Sequence, residues 1–129
     1  MTKTIIQTNE APAPIGPYSQ AVFAGNMLFI SGQVCIIPST GELNNSTIQD
    51  ETHQVMKNLR AILTAAGLAF SDVVKTTIFL TDMHQFAEVN AVYGSYFDVG
   101  GNYPARETVQ VSALPKFVNV EISMIACKQ

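Results

Sequence analysis

Apolar positions recur at two spacings along this chain, every second residue and every third to fourth, which predict strands and helices respectively. Lys3–Gln7 is a short candidate strand. Asn9–Pro17 follows, a nine-residue loop with three prolines and one glycine. Pro17-Tyr18-Ser19-Gln20 leads into a second strand, Ala21–Ala24, and the turn Gly25-Asn26 joins it as a hairpin to a third, Met27–Ser31. That strand runs into Gly32-Gln33, where the missing side chain permits either a β-bulge or the close approach of another backbone or a ligand. After the turn-rich loop Pro38–Asn45 the period changes. Ser46 with Gln49 forms a capping-box pattern. The stripe Ile48, Val55, Met56, Leu59, Ile62, Leu63 and Ala66 then predicts a one-sided helix from about Thr47 to Ala66, closed by Gly67. His53 falls near its polar side and reads as solvated. Val73–Thr81 is a β-branched strand. Asp82 with Gln85 caps a second helix with the stripe Phe86, Val89, Tyr93 and Phe97. Asn90 lies one position off that stripe, where it either bonds to a neighbouring loop or enters a site. Gly100-Gly101-Asn102 closes the helical region.

The last two strands carry the chemistry. From Arg106 to Ser112 one face holds Arg106, Thr108, Gln110 and Ser112, and the other holds Val109, Val111 and Ala113, with Glu107 near the start. Leu114-Pro115-Lys116 breaks the run. From Val118 to Ala126, Val118, Val120, Ile122, Met124 and Ala126 point one way, and Asn119, Glu121, Ser123 and Ile125 the other. If these strands are neighbours, their valine-rich faces share a core and Arg106 and Glu121 lie together on the opposite face. A guanidinium and a carboxylate so placed either make a plain ion pair or bind a small carboxylate and hold a water beside it.

The order β-β-β-α-β-α-β-β predicts an α+β domain spanning residues 1–129, a single mixed six-stranded sheet with both helices on one face. The other face, with Phe79, Ile125, Arg106, Thr108, Gln110 and Glu121, is too apolar for open water and too polar for a core. It predicts a subunit interface in a closed oligomer with cavities between protomers. The charged fraction is low, 13%, which points the same way. A net charge of −3, with seven scattered Lys and Arg, argues against a general nucleic-acid binder. No apolar run is long enough to span a membrane, and no signal-peptide pattern opens the chain. Cys35 and Cys127 read as reduced thiols of a cytoplasmic protein, with no disulfide framework or metal site.

Gly16-Pro-Tyr-Ser-Gln-Ala21, Ser31-Gly-Gln33, Glu88-Val-Asn-Ala-Val-Tyr93, Pro104-Ala-Arg106 and Val120-Glu-Ile122 together resemble the RidA/YjgF family over essentially the whole chain. The resemblance implies a chorismate-mutase-like fold, a homotrimer with ligand sites between subunits, and enamine/imine deaminase activity without metal or organic cofactor. Such proteins hydrolyse 2-aminoacrylate and related 2-imino acids to 2-oxo acids and ammonia. On this reading Arg106 holds the substrate carboxylate by two hydrogen bonds. Glu121 positions and deprotonates the attacking water. Backbone groups near Gly32 and Thr108 bond the substrate, Tyr18 walls the pocket from the same or the neighbouring subunit, Ser31 adds a polar contact, and Asn90 has a binding or a structural role. Thr108 departs from the common cysteine, so no mechanism or redox switch can use a thiol there. Glu107 departs from a common small residue, but alternation turns it to the face opposite Arg106. Two other readings compete: a non-catalytic trimer that senses a 2-oxo acid or similar metabolite, and a ribonuclease or translation inhibitor, which the acidic charge disfavours.

Overall fold

The computed structural model describes residues 2–98 and 100–129. Its strands are β1 (Lys3–Ile6), β2 (Ala21–Ala24), β3 (Met27–Gln33), β4 (Val73–Leu80), β5 (Ala105–Gln110) and β6 (Val120–Cys127); its helices are α1 (Ile48–Ala65) and α2 (Phe86–Gly94). They form one six-stranded sheet in the order β1-β2-β3-β6-β4-β5, antiparallel except for the parallel β4–β5 pair. The expected element order, mixed sheet and α+β class are all present.

Both helices lie on one face. Val55, Met56, Leu59, Ile62 and Leu63 of α1 are fully buried, in one core with Leu28, Ile30, Ile78, Ile122 and Met124 of the sheet. The helix ends as Gly67 suggests. Gly67 takes φ +76°, its N–H reaches Thr64 O at 3.0 Å, and the Leu68 N–H reaches Leu63 O at 2.8 Å. Its start is displaced by one residue from the expected Ser46–Gln49 box. Thr47 is the cap, its hydroxyl accepting from the Asp50 N–H at 3.0 Å. Asp82 caps as expected, accepting from the His84 N–H ahead of a short 3-10 turn that opens α2. His53 is not simply solvated, because its Nδ1 is 2.8 Å from the Tyr96 hydroxyl.

Two expectations for the last strands fail. β5 and β6 are not neighbours, since β4 lies between them. The reason is topological. A helix joins β4 to β5, and such a crossover sets the second strand parallel beside the first. β5 is thereby sent to the sheet edge, while β6 returns between β3 and β4. Arg106 and Glu121 also do not share a face. Arg106 is registered with Thr76, and Glu121 with Phe79. Thr76 and Phe79 are an odd number of residues apart on one strand, so they point to opposite faces. Thr76 is buried under the helices, and Arg106, Thr108 and Gln110 share its side. Glu121 belongs to the open face with Phe79 and Ile125, joined there by Glu107 and Val109. Glu107 is turned away from Arg106 as expected, and pairs with Lys75 at 3.3 Å.

Glu51 is a fully buried carboxylate that no apolar stripe reveals. From α1 it accepts hydrogen bonds from the Asn119 N–H (2.7 Å), Asn119 Nδ2 (2.9 Å) and the Val120 N–H (2.9 Å). It therefore fixes the first turn of chain into β6, immediately before Glu121. Glu51→Ala would leave one buried backbone donor, of Val120, and one half-buried donor, of Asn119, without their partner and is expected to lower stability by roughly 3 kcal/mol. A fall in the urea midpoint at unchanged m-value checks this; an unchanged midpoint would show that the clamp is dispensable.

Candidate active site

Gly32 sits in a β-bulge. The β3–β6 register slips between Ile30 and Gln33, so β3 carries one extra residue opposite Ser123. Of the alternatives at Gly32 the bulge holds, and what comes close to it within the protomer is a side chain, the Glu121 carboxylate. A Cβ built on Gly32 would collide with the Glu121 carboxylate, its Cδ only 2.8 Å away. Any side chain here would evict Glu121 from its position. Glu121 lies in a cavity of about 90 Å³ walled mainly by apolar groups, among them Pro12, Ile15, Tyr18, Val34, Ile36 and Pro115. Burial pushes its carboxyl above the usual carboxylate range. Among the described residues its carboxylate has no hydrogen-bond or ion-pair partner within the protomer.

The loop over this cavity is pinned by buried Gln20. Its Nε2 donates to the carbonyls of Thr8 (3.0 Å), Ala11 (3.3 Å) and Pro12 (2.9 Å), while its Oε1 accepts from the Thr8 N–H at 2.7 Å. Ser31 donates to the Ser19 carbonyl at 2.6 Å, tying the bulge to the segment that carries Tyr18. Its hydroxyl is thus committed to the loop, and Ser31 lines the adjoining open groove with Tyr18 and Phe29 instead of the Glu121 cavity. At the wall of the cavity, which Lys116 lines next to Pro115, Lys116 and Phe117 both take left-handed backbone conformations, φ +57° and +55°, a strained turn of the kind that recurs at ligand sites.

Arg106 stands on the other side of the sheet, exposed at the β5 edge. Its Nη1 donates to Asn90 Oδ1 at 2.6 Å. Its guanidinium carbon is 5.2 Å from the Tyr93 ring centroid and 5.5 Å from that of Phe86, within cation–π range of both. Cavities open on two sides of the guanidinium. One, of about 420 Å³, is lined by Asn90, Tyr93, Gly94, Tyr103 and Pro104 with Arg106. The other, of about 440 Å³, is lined by Met83, Phe86 and Thr108 with Arg106. The Thr108 hydroxyl is buried without a partner, the one such side-chain atom among the described residues. Asn90 therefore belongs with Arg106 rather than with a loop.

The residues singled out in the sequence thus fall into two groups within one protomer. Tyr18, Gly32 and Glu121 share one cavity; Asn90, Arg106 and Thr108 cluster at the β5 edge. The cavities holding Glu121 and Arg106 have no lining residue in common. An ion pair between Arg106 and Glu121 as a mere strand tie is ruled out within the chain by their opposite faces. Sequence reasoning missed Tyr93 and Phe86 as partners of Arg106, and Gln20 as the loop clasp. The only available signal was the spacing of Phe86, Asn90 and Tyr93 on one helix face.

The family model described as Endoribonuclease L-PSP matches residues 8–128. A RutC family protein of Pyrococcus horikoshii is 54% identical over 127 residues, covering 98% of this chain and 99% of the relative. The chloroplastic Reactive Intermediate Deaminase A of Arabidopsis thaliana is 47% identical over 124 residues, 96% of this chain and 65% of the relative. Among solved structures, Escherichia coli TdcF with bound serine superposes with a TM-score of 0.93 at 45% identity, covering 98% of this chain and 99% of that one.

Proposed function

The chain belongs to the RidA/YjgF family, and on that premise we propose that it hydrolyses reactive 2-imino acids, among them the 2-iminopropanoate formed when the enamine 2-aminoacrylate takes up a proton at C3, to 2-oxo acids and ammonia. The observation that carries the reading is Glu121, an unpartnered carboxylate of raised proton affinity in a small, largely apolar cavity, held there by a glycine bulge. Such a group suits general-base work near neutral pH. Relatives named reactive intermediate deaminases support the reaction class. The serine bound by the E. coli relative supports a small ligand with a carboxylate.

In the proposed mechanism Arg106 takes the substrate carboxylate on the part of its guanidinium not committed to Asn90, and the backbone near Thr108 and Gly32 completes the hold. Glu121 accepts a proton from water as its oxygen bonds to C2 of the protonated imine. The C=N π electrons pass to nitrogen, giving a carbinolamine. Glu121 then returns its proton to that nitrogen, the C2–N bond breaks, ammonia leaves, and the C2–OH becomes the ketone as it loses its proton to solvent. In this reading no metal or organic cofactor takes part.

We further propose that the two groups of residues meet between copies in a closed homotrimer. Tyr18, Gly32 and Glu121 of one copy would then face Asn90, Arg106 and Thr108 of the next. The open sheet face supports this, with Ile5, Phe29 and Val109 between 43% and 56% exposed. A sedimentation experiment at micromolar concentration is expected to show a trimer, and a monomer would sink the arrangement.

The test of function is a coupled assay in which a serine dehydratase supplies 2-aminoacrylate and pyruvate is followed. Addition of the protein is expected to accelerate pyruvate formation. No acceleration by folded trimer, with the dehydratase active, would move the reading to a metabolite-binding role.

A further inference from the structure

We infer that Tyr93 is the positioning residue of Arg106: with its hydroxyl locked to Thr76, its ring fixes the plane in which the guanidinium is offered to a ligand. The inference deepens the reading above and rests on Arg106 as the carboxylate-binding group.

An exposed arginine on a sheet edge has many rotamers, and ordering them opposes binding. Arg106 is held instead by three residues of one helix. Phe86, Asn90 and Tyr93 stand at i, i+4 and i+7 of α2, a single face turned toward β5. Two of the three are partly open to solvent, Asn90 exposed and Phe86 half-buried against the core. Tyr93 is not. It is buried, it packs on Phe97 with ring centroids 4.9 Å apart, and its hydroxyl donates to Thr76 Oγ1 at 3.0 Å.

Thr76 makes the arrangement more than ordinary packing. It is fully buried, and it is the residue registered with Arg106 across the β4–β5 pair. The same pair of backbone positions therefore sets both the origin of the arginine and the anchor of the ring beneath it. A shift of α2 relative to the sheet would have to break the phenol–threonine bond before it could tilt the ring under the guanidinium. Burial pushes the Tyr93 phenol above its usual pKa, with the Thr76 bond and the Arg106 charge opposing; the charge is felt at the ring it lies over.

The test compares Tyr93→Leu, Tyr93→Phe and Phe70→Leu. Phe70 belongs to the same aromatic cluster through Phe97 and Tyr96, but its ring is not among those over which Arg106 lies. The first readout is the NMR order parameter of the Arg106 Nε–Hε group in the free protein, which Tyr93→Leu is expected to lower to below about 0.6. The second is the Kd for 2-oxobutanoate, expected to rise about tenfold in Tyr93→Leu. Turnover at saturating substrate should change by less than about twofold, since a carboxylate clamp acts on ground state and transition state alike. Tyr93→Phe keeps the ring but loses its anchor, so it should lower the order parameter less than Tyr93→Leu does and raise Kd about threefold. Phe70→Leu should lose stability with neither readout moved. An ordered Arg106 in Tyr93→Leu would overturn the inference, as would an equal rise in Kd in Phe70→Leu. Should Tyr93→Leu fail to fold, Thr76→Val removes only the anchor; it should lower the order parameter and raise Kd about threefold, and no change in either overturns the proposal. If wild type does not bind 2-oxobutanoate at all, the carboxylate reading fails while the order parameter still decides the role of Tyr93.

Discussion

Glu121→Gln is expected to lower kcat by roughly 10²-fold or more while leaving the fold at least as stable as wild type at neutral pH. The two effects have one cause. Burial holds the Glu121 carboxyl above the ordinary carboxylate range, so the folded chain binds that proton more tightly than the unfolded chain does. For this group stability is then fully present below the unfolded pKa and declines as pH rises through the raised folded value. The amide has no such decline. Glutamine is nearly isosteric, so it also fits against Gly32, and binding of a 2-oxo acid should survive. The same titration predicts that turnover by wild type falls on the acid side at a higher pH than an ordinary carboxylate would give, because the working form is the ionised one. Measurements of kcat against pH and of melting temperature against pH, on both proteins, check all of this. A variant within threefold of wild-type turnover would remove Glu121 from the mechanism.

Arg106→Ala is expected to lower kcat/KM by roughly 10²–10³-fold, the loss of two charge-assisted hydrogen bonds to a carboxylate. Its stability should barely change. Arg106 is exposed at a sheet edge and its one side-chain hydrogen bond among the described residues is to exposed Asn90, a contact of little worth to the fold. Selective loss of activity with an intact melting temperature would therefore separate a ligand-binding arginine from a structural one. A large fall in stability would contradict the geometry described above.

The alternation of β5 and β6 was readable from sequence, and so was the partition of each strand into two faces. Which face of β5 looks at the helices was not. Alternation alone leaves a two-fold choice, and the choice of Val109 as inward followed from placing β5 beside β6. Once α2 carries the chain across, Arg106, Thr108 and Gln110 are under the helical layer, and they stay accessible only because β5 is the edge. Glu51 was invisible for a different reason. An apolar stripe says nothing of a charged residue whose partners lie sixty-eight and sixty-nine positions away. Tyr93 was legible as core, and it is core; what the sequence hid is that its far side carries the arginine. Gly32 was the best-served position, because a residue with no side chain leaves few physical explanations open.

The separation of Arg106 and Glu121 onto opposite faces has a genetic consequence. If each working centre draws one from each of two chains, an allele damaged at Arg106 and an allele damaged at Glu121 are not equivalent when both are expressed in one cell. Mixed assemblies would contain some junctions with both residues intact, so two inactive gene products would restore part of the activity to each other. Two alleles damaged on the same side would never do so.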